Sequence, residues 1–249
     1  MTLVLLFMVY ACALSYALSR AGHRAAGSTS ATAATHAAPP ARILIIGATG
    51  GTGSEVLKLA LERGYDVTVL VRDPARLRDG PAGLTVLRGD VMDPAAVDAA
   101  VRGQDAVVSA LGHTQFLGPS RILSEGTRNL VHAMQAHGVR RLVCETSLGI
   151  GDSAGRMGVY YTLFTIPVIL PFYYWDKTRQ ERIVAASDLD WVIVRPAALT
   201  NAAKRGVRRA GAGVGGLLLT HGIPRADVAE FMLDQLTSDT YLRQAPGLE

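Results

Sequence analysis

The stretch 42-RILIIGATGGTGSEVLKLALERG-64 decides the fold. Arg42–Ile46 is a short, unbroken apolar run, as expected of a strand buried on both faces of a parallel sheet. Gly47, Gly50 and Gly53 follow at once in a GxxGxxG spacing. Ser54 to Arg63 then reads as a helix closed by Gly64. In a strand–glycine turn–helix unit the backbone turns tightly and approaches a phosphate closely, with free N–H groups and the positive end of the helix dipole aimed at it. The plain alternative is a loop that only turns the chain. Against it stands the context: a charged residue ends the next strand about twenty residues on.

Outward from this unit the alternation continues. Val67, Val69 and Val71 mark a second strand, Leu84–Leu87 a third, Ala106–Ala110 a fourth, Arg141–Cys144 a fifth and Trp191–Val194 a sixth. The segment from Pro119 to His137 carries Ile122, Leu130, Val131 and Met134 at helical spacing and stops at Gly138, and Ala226–Leu236 reads as a late helix. Repeated strand–helix units with short connections predict an α/β fold: a doubly wound parallel sheet in a single domain over residues 42–249. No repeat at solenoid spacing is evident.

Composition agrees. Of 249 residues, 49% are hydrophobic and 18% charged, which excludes disorder. Cys12 and Cys144 are the only cysteines and fit no CxxC spacing, so neither a disulfide framework nor a zinc site is supported. The net charge is +4, but residues 1–41 hold Arg20 and Arg24 and no acid, leaving +2 for the body. That balance gives little reason to expect nucleic acid as a partner.

The front of the chain reads separately. Leu3 to Leu18 is almost wholly apolar and is followed by Arg20, His23 and Arg24; Ala25 to Pro40 is an Ala/Ser/Thr linker ending in Pro39-Pro40. Residues 1–24 thus form a hydrophobic segment and 25–41 a linker. Membrane attachment through residues 3–18 would hold the body in the cytoplasm, because the trailing arginines stay on that side. The run is slightly short for a span, and Met1-Thr2 lacks the basic residue of a signal peptide. A targeting peptide and an extension without a role stay open.

The residue ending strand two selects the cofactor: a carboxylate there suits the ribose hydroxyl of NAD, a base the extra phosphate of NADP. The sequence reads Val71-Arg72-Asp73-Pro74-Ala75-Arg76. Arg72 can form a fork to phosphate and Arg76 can join it, so NADP is favoured. Asp73, one place late, keeps NAD in play. Two solvated arginines on a surface loop are the bland reading.

With these residues in place, the body resembles the atypical short-chain dehydrogenase/reductase group with an NAD(P)-binding Rossmann fold. Within it the likeness is to the flavin reductase/biliverdin-IXβ reductase proteins and the NmrA-like proteins. It is carried by GATGGTG (47–53), GYDVTVLVRDPARL (64–77), GDVMD (89–93), GQDAVVSALG (103–112), LSEGTRNLVHAMQAHGV (123–139), CETS (144–147), DKTRQE (176–181), SDLDWVIVRP (187–196) and ADVAEFML (226–233). The resemblance implies that Gly47, Thr49, Gly50, Gly51, Thr52 and Gly53 cradle the pyrophosphate. It sets Arg72 and Arg76 on the 2′-phosphate and Asp90 and Val91 beside the adenine. Ala110, Leu111 and Gly112 would line the ribose side, Thr146 and Ser147 would face the nicotinamide, and Arg195-Pro196 with the loop to Asn201 would close over it. Asp90 as a turn cap and Ser147 as a backbone partner are the bland readings.

For catalysis, Tyr173-Tyr-Trp-Asp-Lys177 satisfies the YxxxK pattern, with Ser147 upstream. Residues i and i+4 share a helix face, so Tyr173 and Lys177 can meet at one site as proton donor and activating cation. The same tyrosine lies in a very apolar stretch, Val159 to Trp175, that serves equally as a lid or packing surface. Lys177 alone, bonding the nicotinamide ribose, is the simpler role. Relatives of the flavin and biliverdin reductase type let the cofactor supply the hydride to a flat substrate, and their histidine after strand six corresponds here to Ala198. His113 is a substitute polar group or a surface residue. The expectation is a reductase that uses NADPH on a small-molecule substrate, a flavin, quinone or other planar or carbonyl compound. The alternative is a non-catalytic NAD(P)-sensing or assembly protein of the NmrA-like type, and a third reading is a membrane-tethered enzyme whose apolar 158–175 segment contacts lipid or a lipophilic substrate.

Overall fold

A computed structural model describes residues 40–77, 83–113 and 118–249. The hydrophobic segment 1–24, with its suggested attachment through 3–18, and all but the last two residues of the linker lie outside the described residues. Strands β1 (Arg42–Ile46), β2 (Asp66–Val71), β3 (Leu84–Arg88), β4 (Ala106–Ser109), β5 (Arg141–Glu145) and β6 (Asp190–Pro196) pair in parallel, in the spatial order β3-β2-β1-β4-β5-β6. Chain order reverses between β1 and β4, where Ile43 pairs with Ala106 and Ile46 with Ser109. That reversal is the switch point at which a doubly wound sheet opens a crevice at the carboxyl ends of its strands. Beyond β6 the sheet gains β10 (Gly247–Leu248), parallel, and β8 (Ala210–Gly211), antiparallel; β7 (Leu199–Thr200) and β9 (Ile223–Pro224) form a separate pair.

The continuous apolar strands are explained by cover on both faces. Ile43, Ile45, Val67, Val69 and Val108 turn to one side, where they meet Val56 and Ala60 of helix α1 (Gly51–Glu62) and Val228 and Met232 of helix α5 (Arg225–Asp234). Leu44, Ile46, Val107, Leu142 and Ile193 turn to the other. There they meet helices α2 (Pro94–Val101), α3 (Ile122–Ala136) and α4 (Pro171–Ala185) through Val97, Leu130, Met134 and Val184. A π-helical segment, Tyr161–Ile169, leads into α4.

Two helices begin later or earlier than their sequence patterns suggest, one for a local reason and one through a distant contact. The first helix starts at Gly51, inside the glycine turn, because Ser54 N–H already donates to the Gly50 carbonyl at 2.9 Å. Helix α3 starts at Ile122 because its first turn is held from outside. Buried Asp176 of α4 accepts from the Leu123 and Ser124 backbone N–H groups at 3.0 and 3.2 Å and from the Ser124 hydroxyl. A carboxylate at a helix N-terminus satisfies orphan donors and complements the dipole, here across two elements.

Candidate functional site

A cleft of about 590 Å³ runs along the carboxyl ends of β1, β2, β4 and β5, at the switch point. Its centre is the glycine turn. Gly47 sits at φ +84°, and a Cβ there would lie 2.4 Å from the Ala110 carbonyl oxygen, so only glycine lets β1 turn beside β4. No side chain caps α1, whose first-turn N–H groups are left facing the cleft beside Thr49, Gly50, Gly51 and Thr52. Gly53 is not at the wall: a Cβ on it would fall 2.0 Å from the Gly47 carbonyl oxygen, so its role is the close seat of the helix on the turn.

At one end stand Arg72 and Arg76, with Asp90 and Val91 on the wall between them and α3. Arg76 reaches back to the Thr49 carbonyl at 3.5 Å. Asp73 does not line the cleft; its carboxylate accepts from Ala75 N–H at 3.2 Å and caps the short 3-10 turn Pro74–Arg76. Asp90 likewise accepts from Met92 N–H at 2.9 Å, so its carboxylate serves the turn while the residue forms wall. The two arginines and the open helix end line the same cleft.

At the other end the cleft is lined by Ala110, Leu111, Gly112, His113, Thr146, Tyr173 and Lys177. Lys177 is 1% exposed. Its ammonium donates to the Leu111 carbonyl at 3.0 Å and to the Glu145 carbonyl at 2.9 Å, tying the ends of β4 and β5 together, and lies 5.8 Å from the centre of the Tyr173 ring. Tyr173 also meets the His113 ring edge-on at 5.1 Å. The YxxxK pair therefore does share one wall.

Ser147 does not join it. Its hydroxyl is 2.9 Å from the hydroxyl of Tyr174, which itself donates to the Leu148 carbonyl at 3.1 Å. Tyr174 is buried, and burial pushes its phenol above the ordinary range, so it stays protonated as a packing and bonding group. Thr146 lines the cleft, yet its hydroxyl turns inward to Glu181 at 2.6 Å. Glu181 also holds Arg195 through two bonds of 2.9 and 2.8 Å, and Arg195 reaches on to Asp152. Arg195 and Pro196 are thus buried beneath the site and not over it, while Asn201 accepts from Arg225 at 2.5 Å.

Two residues missing from the sequence reading belong to this cleft. Arg225, at the start of α5, lies so close over the glycine turn that a Cβ on Gly51 would come within 2.5 Å of its Nε. Glu145, the last residue of β5, accepts from the Thr52 hydroxyl at 3.0 Å and is almost wholly buried. Burial raises its pKa above the carboxylate range, against the pull of Lys177, Thr52 and Arg225. A charged residue ending an apolar strand was a visible signal for Glu145. Arg225 had none, because only the tertiary fold brings α5 beside α1. Cys144, buried next to Glu145, has its thiol pushed up to about 12 by burial and is inert.

Comparison with known proteins fits this geometry. A model of the NAD(P)H-binding family matches residues 47–239. An uncharacterized chloroplastic protein of Arabidopsis thaliana is 29% identical over 184 residues, covering 68% of this chain and 62% of its own. A 3-diazoavenalumate denitrifying reductase of a Streptomyces species is 32% identical over 172 residues, covering 62% and 55%. The match thus spans less than two thirds of either relative. Among solved structures, ChuY, an anaerobillin reductase of Escherichia coli O157:H7, superposes with a TM-score of 0.66 at 25% identity, over 83% of this chain and 96% of that one.

Proposed function

The chain belongs to the NAD(P)H-binding family, and from that premise we propose that it is an NADPH-dependent reductase of a flavin, quinone or other planar or carbonyl substrate. The observation that carries the reading is one continuous cleft with cationic anion-binding groups at one end and Tyr173 over Lys177 at the other. The residues fit the cofactor: the α1 amide groups and Arg225 would hold the pyrophosphate, and Arg72 and Arg76 the 2′-phosphate. The preference for NADPH over NADH rests on Asp73 being spent on its own turn. When bound, the nicotinamide supplies the hydride.

The chain's own groups do the rest. Lys177 fixes the floor by holding the Leu111 and Glu145 carbonyls, and Tyr173 on the same wall is the group that would give a proton to a substrate oxygen or nitrogen. Leu111, Ile122 and the rings of Tyr173 and His113 give that end flat, largely apolar walls suited to a planar substrate. The Streptomyces relative and ChuY, both described as reductases, support this class of reaction.

The test is NADPH oxidation by the purified chain against a panel of flavins, quinones and aromatic carbonyls. Turnover with at least one class is expected. Tight NADPH binding with no turnover across the panel would sink the reading in favour of nucleotide sensing.

A further inference from the structure

The strongest unexplained feature lies outside the cleft. Tyr160, Phe164, Val168 and Phe172 recur every fourth residue along the π-helical segment and the start of α4, and all are exposed. Val159, Ile169 and Trp175 widen this row. The loop Leu217-Leu218-Leu219 stands beside it with side chains 62%, 76% and 80% exposed. The two segments are joined: Gly158 N–H donates to the Gly216 carbonyl at 2.9 Å, and a Cβ on Gly158 would lie 3.5 Å from the Leu218 carbonyl oxygen. Three consecutive leucines in solvent at the edge of an aromatic row make a contiguous apolar face, which single scattered residues would not.

Charge identifies what covers it. Residues 153–175 and 197–224, which build the face and its flank, contain Arg156, Lys204, Arg205, Arg208 and Arg209 and no acid. Nearby Asp152 and Glu249 are already bound, to Arg195 and Arg209. Among the described residues Arg156, Arg205 and Arg208 have no ion-pair partner. A second copy docking by a two-fold axis would set this cationic surface against itself. The chain's own residues 1–41 carry Arg20 and Arg24 and no acid, so they bring the same sign. Aliphatic tip, aromatic row and unpaired arginines together suit one partner, an anionic lipid surface.

We propose that this face docks onto an anionic phospholipid bilayer, with Leu217–Leu219 entering the headgroup boundary and Tyr160, Phe164 and Phe172 lying along it. The docking is peripheral; among the described residues no helix is long and apolar enough to cross a membrane. It does not depend on the cofactor reading.

The test uses the full chain and sedimentation with phosphatidylcholine vesicles, with and without phosphatidylglycerol. Wild type is expected to co-sediment with the anionic vesicles, weakly with the neutral ones, and less as salt screens the arginines. Replacing all three leucines by serine should lower the partition coefficient roughly tenfold or more, with an unchanged thermal melt. Leu218→Asp alone, at a side chain largely in solvent, gives the same reading with less alteration. Three results overturn the proposal: no binding by wild type, undiminished binding by both variants, which assigns attachment to residues outside this face, or a dimer that the variants dissociate without any vesicle binding.

Discussion

Arg72 and Arg76 are exposed at the mouth of the cleft, so their removal should change what binds without changing what folds. A hydrogen bond to a charged group contributes about 1.5–3 kcal/mol. Replacing both arginines by alanine should therefore weaken NADPH binding roughly 10- to 100-fold and leave NADH nearly unaffected, as read by fluorescence titration with each nucleotide. Equal losses for both would place the arginines elsewhere on the dinucleotide. The paired tyrosines give a second contrast. Tyr173→Phe should lower kcat by roughly 10²-fold or more with cofactor affinity intact, the scale of a lost general acid. Tyr174→Phe, which loses only the bonds to Ser147 and Leu148, should lower stability and spare kcat. The YxxxK spacing identified Tyr173 and Lys177 because helical periodicity is local. It could not tell that Ser147 pairs with Tyr174, since successive residues on a helix point about 100° apart and only the packing decides which one meets the loop after β5.

At the level of elements, β1, β2, β4, β5 and β6 were legible because burial on both faces demands apolar runs, whereas β3 at the sheet edge is largely exposed. Their parallel, doubly wound arrangement followed from the strand–helix alternation. The two-residue strands β7 to β10 were not, because segments so short have no periodicity and exist only through distant partners, such as Gly247 beside Arg195. The start of α3 was misread for the same reason: its cap, Asp176, comes from α4, and Arg121 at the N-cap position offers no side-chain bond. This cross-element cap is a target. Asp176→Ala should strip three donors of one buried acceptor group and destabilise the fold by about 2–3 kcal/mol, measured by urea unfolding. Asp176→Asn, which keeps one acceptor oxygen, should cost less. If the two variants matched wild type, the α3–α4 contact would owe nothing to the carboxylate. Gly53 is the corresponding point for α1. Alanine there meets the Gly47 carbonyl backbone, which has no flexible side chain to move aside, so Gly53→Ala should damage the turn itself and with it nucleotide binding.

Across the whole molecule, Glu145 ties together parts that the sequence kept separate: it ends β5, accepts from Thr52 of α1, and lies in the field of Lys177 from α4 and Arg225 from α5. That convergence gives stability a definite pH dependence. Burial raises the Glu145 pKa above its unfolded value, against the three stabilising partners. For an acid shifted upward, the folded state binds its proton more tightly than the unfolded chain does. Its contribution is then fully present below the unfolded pKa and is lost as pH rises through the folded one. Glu145→Gln retains an oxygen to accept from Thr52 but cannot ionise. The difference in melting temperature, variant minus wild type, should therefore grow in favour of the variant between a pH just above the ordinary carboxylate range and one well above it, because the raised pKa makes the buried carboxyl costly to ionise. Asp105 is the internal control, because its shift has the opposite sign. Its bonds to Arg42 hold its carboxyl down to about 2, so its contribution is complete above the carboxylate range and fades only in strong acid. Asp105→Asn should thus lower the melting temperature by the same amount at both pH values, and only Glu145→Gln should open a gap that widens with pH. A constant gap for Glu145→Gln would mean that Lys177 and Arg225 fully offset the burial of the carboxylate.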